Sequence, residues 1–318
     1  MLVFENIAAL DIGTSSVKLV TVRTGFRDFQ LKSFNYEDID PDMEDRAAAV
    51  SNAIRKITEE EDLEGYRIVT NLPMEMEIIR TISFPFSDVE KIADAIPYEA
   101  EENIPFKIED LVLDFQSLKS NKESEGRILQ AAARKTSIQD FLNPMTDCGI
   151  QPVKMGMEAN ALYECYRYFN RIENESVVQI DIGNHKTILN FISNNHLLFT
   201  RAVTVGADAM IGAIAAIMKV SSGEAARLFQ NMNLDLTSFE NNAQREHHKT
   251  LGISRPHLRR IYSASYEIAE SLAEQIIITM KALNAECGEI EFNRALISGG
   301  GSNMTGIGSI IARELDIP

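Results

Sequence analysis

One short pattern occurs twice in this chain, and it constrains the fold more than anything else in the sequence. Residues 7–18 read Ile-Ala-Ala-Leu-Asp11-Ile-Gly13-Thr14-Ser15-Ser16-Val-Lys18, and residues 177–187 read Val-Val-Gln-Ile-Asp181-Ile-Gly183-Asn184-His185-Lys186-Thr187. In both, an apolar run ends on an aspartate, a glycine follows two positions on, polar residues make a turn and a second apolar run begins. The spacing predicts strand, tight turn, strand. A glycine lets the backbone come close to an anion, and successive turn amides beside hydroxyls make a phosphate cradle. Asp11 and Asp181, at the mouths of the turns, are placed to reach a phosphate-bound metal ion through water. One such tripeptide alone is an ordinary hairpin turn. A second copy, with its aspartate at 181 against 11, implies a duplicated unit.

A third glycine-rich turn comes late: Ala295-Leu296-Ile297-Ser298 leads into Gly299-Gly300-Gly301-Ser302-Asn303 and then a helix-like stretch. Two D-I-G hairpins followed by a strand–GGG–helix form a constellation that resembles the actin and sugar-kinase superfamily. The resemblance implies two like domains closing over a nucleotide.

At 318 residues the chain has room for two domains. A net charge of −16 argues against nucleic acid as a partner and against adsorption on an anionic membrane surface. Cys148, Cys165 and Cys287 are scattered and form no C-x-x-C, which sets aside a disulfide framework or a zinc site. Met1-Leu2-Val3-Phe4-Glu5 does not read as a signal peptide. The longest apolar stretch, 211–218, is too short to span a bilayer. A cytoplasmic setting is expected.

In order along the chain, strands are predicted at 6–12, 16–24 and 27–35, an acidic loop at 37–45, a helix at about 44–60 with Ala47, Val50, Ile54 and Ile57 at helical spacing, and a strand at 67–72. This β-β-β-α-β order matches the ribonuclease-H-like half-domain. A strand at 76–83 follows. Ser87 and Glu90 then read as a capping box opening a helix to about Asn103, broken or restarted near Pro97. Strands at 111–118 and 127–134 flank a polar turn, a helix at 137–148 ends on Gly149, and a short strand at 150–156 leads to a helix at 157–170. In the second half, strands at 177–203 are followed by helices opening at Thr204–Asp208 and Ser221–Leu228. A polar loop at 235–252 contains His247 and His248, and a helix at 256–286, a strand at 292–298 and a helix at 303–315 complete the chain. Two adjacent loop histidines are weak evidence for a metal site.

Ile104-Pro105-Phe106 followed by Leu111-Val112-Leu113-Asp114-Phe115, together with Phe84-Pro85, narrows the likeness. These segments resemble the PilM family, the cytoplasmic actin-like proteins of type IV pilus machines. The family is related to FtsA and, more distantly, to the cytoplasmic part of the type II secretion protein GspL. The resemblance implies an actin-like ATPase fold with two ribonuclease-H-like lobes. Residues 1–83 and 150–175 would form the first lobe, 84–149 an inserted subdomain of the FtsA and PilM type, and 176–318 the second lobe, with 206–288 as its helical part. The end at Pro318, short of a further strand and helix that the family carries, suggests a piece of a longer protein.

The same resemblance implies a site for ATP and Mg²⁺. Gly13, Thr14, Ser15 and Lys18 would hold the terminal phosphates, with Gly183, Thr187 and Gly206 in and after the second hairpin, and Gly299 and Gly300 beneath the nucleoside. Glu224 and Arg227 match positions that face ribose and adenine; as bare residues they read equally as a surface pair one turn apart. Asp11 and Asp181 would position magnesium through water. Glu158 stands where related ATPases orient a water molecule, and also where the helix dipole favours an acid. Strong ATPases of the superfamily carry further glycines where this chain has Asn184 and His185, so rapid hydrolysis is not expected.

Three functions fit this pattern: an ATP-binding scaffold of a pilus or secretion platform with weak ATPase activity at most, an FtsA-like self-assembling filament, or a sugar-kinase-type phosphotransferase. No recognisable catalytic carboxylate for a sugar pocket supports the last. For the first, the resemblance implies a PilN-like cytoplasmic tail as partner at the inner face of the inner membrane, with an assembly ATPase and self-association as further options. Phe84, Phe86, Ile104, Phe106 and Phe115 in the insertion suggest an apolar groove for that tail. Glu99, Glu101, Glu102, Glu109 and Asp110 around it would favour basic residues.

Overall fold

The computed structural model describes residues 5–26, 28–59, 61–119, 124–170, 172, 174–232, 248–304 and 306–317. The chain divides into two units, Met1–Phe169 and Asn170–Pro318. In the first, β1 (Asn6–Ile12), β2 (Ser16–Thr24), β3 (Phe29–Asp38), α1 (Arg46–Glu59) and β4 (Arg67–Leu72) come before β5 (Glu77–Phe84), α2 (Val89–Asn103), β6 (Leu111–Leu118) and β7 (Gly126–Arg134). The unit closes with α3 (Lys135–Thr146), β8 (Lys154–Met157) and α4 (Glu158–Phe169).

Its main sheet has the order β3-β2-β1-β4-β8, with β1 antiparallel to β2 and parallel to β4. Alternation along β2 sends Val17, Leu19 and Thr21 into the core and leaves Lys18, Val20 and Val22 on the other face. The helix α1 covers the core face with Ala49, Val50, Ala53, Ile54 and Ile57, a stripe at helical spacing. The third strand extends to Asp38, past the loop expected from 37, because its pairing with β2 continues to Ser16.

A second sheet, ordered β5-β7-β6 and antiparallel throughout, is inserted after β4. It starts at Glu77 rather than 84, since β5 pairs with β7 and not with the main sheet. It ends at Arg134 rather than 149, since Ile138, Phe141, Leu142 and Met145 of α3 join the core beneath α1. Asp88, not Ser87, caps α2, accepting from the amides of Glu90 and Lys91 at 3.0 and 3.2 Å. The helix runs unbroken through Pro97, which lies on its exposed side where water can satisfy the carbonyl it frees.

The expected apolar groove is largely absent. Phe84 and Ile104 are buried, and Phe86 and Phe115 pack on the same core under α2. Only Phe106 is well exposed, with the Arg134 guanidinium over its ring. Glu99 is likewise taken up, in an ion pair with Arg80 at 2.8 Å.

The second unit repeats the first sheet's order. It runs through β9 (Ser176–Ile182), β10 (Thr187–Ser193), β11 (His196–Val203), α5 (Ala207–Met218), α6 (Ser222–Asn231), α7 (Arg255–Cys287), β12 (Arg294–Ser298) and α8 (Ile307–Leu315). The sheet is ordered β11-β10-β9-β12, with β9 antiparallel to β10 and parallel to β12, as β3-β2-β1-β4 are in the first unit. Asn194 and Asn195, both at positive φ, form the two-residue turn between β10 and β11. The long α7 and α8 pack Ile261, Leu272, Ile276, Ile310 and Ile311 onto Ile180, Leu189 and Phe191 of the sheet.

His247 and residues 235–247 of the loop expected at 235–252 lie outside the described residues. His248 is 3% exposed, so it belongs to the interior before α7 and not to a surface loop. Among the described residues, no single helix is long and apolar enough to cross a membrane.

Candidate phosphate-binding turns

The turn after β1 is closed by the Gly13 amide, which donates to the Ser16 carbonyl at 2.9 Å. The next three carbonyls are all held by hydrogen bonds within the protein. Arg46, the first residue of α1, donates from Nη2 to the carbonyls of Gly13 at 3.1 Å and Thr14 at 2.5 Å. The Ser15 carbonyl accepts from the Ile39 amide at 2.9 Å. Carbonyl and following amide point opposite ways in a trans peptide, and no cis peptide bond occurs among the described residues. The amides of Thr14 and Ser15 are therefore directed away from Arg46, as an anion cradle requires. Loss of water around Arg46 lowers its pKa from the usual arginine value, and an arginine stays charged regardless. Asp11 lies directly opposite Lys18 in the β1–β2 ladder, and Lys18 Nζ donates to Asp11 Oδ2 at 2.9 Å.

The turn after β9 has the same construction. The Gly183 amide donates to the Lys186 carbonyl at 2.8 Å, and a Cβ on Gly183 would lie 2.8 Å from that oxygen. The carbonyls of Gly183 and Asn184 accept from the amides of Ala207 and Asp208, at 3.0 and 2.8 Å. This close approach needs glycine at 206, where a Cβ would sit 2.4 Å from the Asn184 oxygen. His185 Nδ1 and Asp208 Oδ2 are 2.6 Å apart, which ties the turn's one imidazole to α5. Asp181 accepts from Ser298 Oγ at 2.7 Å, its register partner on β12. Thr187 is fully buried with its hydroxyl donating to the Val205 carbonyl at 2.7 Å, so it acts inside the fold and presents nothing to a ligand.

The two late glycines differ. Gly299 has φ of +86°, and a Cβ there would meet the Ile182 oxygen at 2.3 Å, so the backbone itself demands glycine. A Cβ on Gly300 would meet nothing within 4 Å. Glu158 opens α4, and its Oε2 accepts from the Met74 amide at 2.9 Å, a structural tie within the first unit. Glu224 closes a capping box on α6: its Oε2 accepts from the Ser221 amide at 3.1 Å while Ser221 Oγ accepts from the Glu224 amide at 3.2 Å. Arg227 lies one turn along the same helix.

Among the described residues, no cluster of three or more His, Cys, Asp or Glu could form a metal cage. Two residues were not legible as part of these turns, Arg46 and Ser298. Each comes from an element distant in sequence: Arg46 from the start of α1, and Ser298 from β12, which the sheet order places beside β9.

Against known proteins, a model of the family described as "Type IV pilus assembly protein PilM" matches residues 9–241. The fold is similar to a chain of a solved PilM-PilN type IV pilus biogenesis complex, at 24% identity and a TM-score of 0.74, covering 98% of this chain and 86% of that one. It is also similar to the ethanolamine utilization protein EutJ from Carboxydothermus hydrogenoformans, at 12% identity and a TM-score of 0.52, covering 98% and 82%. The architecture is the actin-like ATPase fold. With its family model matched from the first hairpin into the second unit, the chain belongs to the type IV pilus assembly protein PilM family.

Proposed function

We propose that this protein is an ATP-binding scaffold of type IV pilus assembly that docks the cytoplasmic tail of a bitopic, PilN-like inner-membrane protein. The observation that carries this reading is the family match over residues 9–241, supported by the fold's likeness to a chain from a PilM-PilN complex. The partner would hold the protein at the cytoplasmic face of the inner membrane.

The two turns support nucleotide binding. Each directs successive amides away from a protein-held wall of carbonyls, and each begins on an aspartate suited to Mg²⁺ through water. Thr14, Ser15 and Gly13 would hold phosphate in the first unit, with Lys18 as a point charge. Gly183, Gly206 and Gly300 would line the approach in the second, with Glu224 and Arg227 toward the nucleoside. Slow turnover is supported by Asn184 and His185, whose side chains would restrict backbone approach to the phosphate at the second turn, and by the tie from His185 to Asp208.

The tail would dock on the inserted sheet, whose outer strands β5 and β6 can accept an extended peptide by main-chain pairing. Val112, Tyr98 and Phe106 are exposed apolar groups there, with Glu101, Glu102, Glu109 and Asp110 exposed among them. A fluorescent peptide of the partner's tail, titrated against wild type and a variant lacking 77–134, tests this. Affinity should vanish in the deletion variant. Full affinity in that variant, with its circular dichroism showing it folded, would refute the docking site. An ATP turnover of roughly 10 per second or more would refute the scaffold reading.

A further inference from the structure

The two turns are built alike but held by different chemistry. In the second unit, the carbonyls of Gly183 and Asn184 are bound by Ala207 and Asp208, the first two amides of α5. The helix that follows the three-strand meander in the first unit is α1, and it cannot do the same. Its early amides, Ala47 and Ala48, donate to Asp45 Oδ1 at 2.9 and 3.1 Å. The carbonyls of Gly13 and Thr14 are bound by the Arg46 side chain instead. A single guanidinium nitrogen occupies the place that two helix amides take in the duplicate.

We infer that Arg46 is the positioning residue of the first phosphate turn, holding the 13–14 carbonyls on its own side so that the Thr14 and Ser15 amides face the nucleotide's phosphates. The inference rests on the nucleotide-binding reading above. Without the guanidinium, the peptide after Gly13 or after Thr14 can rotate and present a carbonyl oxygen to the anion, which repels it. A guanidinium suits the task because the two N–H groups on Nη2 are fixed in one plane and can be aimed at two neighbouring carbonyls, whereas an ammonium is a flexible point charge. The second unit needs no such side chain, since a helix backbone cannot swing away.

The test is Arg46→Met and Arg46→Lys in the full chain, with dissociation constants for ATP and for adenosine and the melting temperature without nucleotide. Arg46→Met keeps most of the apolar stem and loses both hydrogen bonds. It should weaken ATP about tenfold, with Arg46→Lys in between, while adenosine affinity and the ligand-free melting temperature stay at wild-type values. The ATP-to-adenosine ratio is the readout that a merely structural tie would not move. ATP affinity within twofold of wild type in Arg46→Met, or equal losses for ATP and adenosine, would overturn the inference and leave the nucleotide reading standing. Wild-type protein that binds no ATP would overturn both.

Discussion

Lys18 and Asp11 face one another across the first hairpin, Nζ to Oδ2 at 2.9 Å, and the matching aspartate of the second unit, opposite Ile188, accepts a hydrogen bond from Ser298. Each hairpin thus brings a donor from a paired strand to its carboxylate, Lys18 from β2 in the first unit and Ser298 from β12 in the second.

The Asp11–Lys18 pair is half exposed, with side-chain exposures of 46% and 42%. Pairs of that kind contribute about 0.2–1 kcal/mol in water. Lys18→Met should therefore change the ligand-free melting temperature by only about 2 °C or less. If Lys18 turns to phosphate when ATP arrives, the same substitution weakens ATP binding several-fold. Differential scanning fluorimetry with and without Mg-ATP checks both halves. A large loss of ligand-free stability with ATP affinity intact would assign Lys18 to the fold alone.

Gly206 is the point where the second turn and α5 meet. An added methyl group would press on the Asn184 carbonyl at 2.4 Å from its oxygen and 2.6 Å from its carbon, and backbone there cannot yield cheaply. Gly206→Ala should cost about 1–3 kcal/mol, as overpacking does. Gly212, six residues on in α5, has open space around its Cβ position. Gly212→Ala should stabilise the chain by about 0.5–1 kcal/mol through helix propensity. Urea denaturation of both variants compares them directly. Equal effects would mean that the close approach at Gly206 is not what keeps it glycine.

The parts of this fold that were legible in the sequence are those set by neighbours in sequence. The D-I-G hairpins need only a glycine, a few polar residues and flanking alternation, and the strands at 6–12 and 16–24 lie where that pattern puts them. Non-local pairing was not legible. The alternation at 76–83 is equally good for a strand of the main sheet or of the insertion, and only its pairing with β7 decides. The five apolar residues near 84–115 carry no mark of which face they cover, and α2 takes most of them. The part Arg46 plays is illegible for the same reason. Its position at a helix start says nothing about a turn 32 residues earlier, whose carbonyls it binds.

Gly299 and Gly300 look interchangeable in sequence and are not. Gly299 holds φ at +86°, a region that L side chains rarely adopt, and its Cβ position overlaps the Ile182 carbonyl. Gly299→Ala combines backbone strain with a collision, costing about 1–3 kcal/mol from each cause. Gly300 has neither problem, since nothing lies within 4 Å of its Cβ position. Gly300→Ala should leave stability within about 0.5 kcal/mol of wild type. If this glycine forms the floor beneath a nucleoside, the added methyl group enters that space, so Gly300→Val should weaken ATP and adenosine by the same factor while the fold stays intact. Chemical denaturation separates the two glycines, and titration with both ligands tests the floor. Unchanged affinity in Gly300→Val would move the nucleoside away from this turn, and wild-type stability in Gly299→Ala would show that the Ile182 contact relaxes.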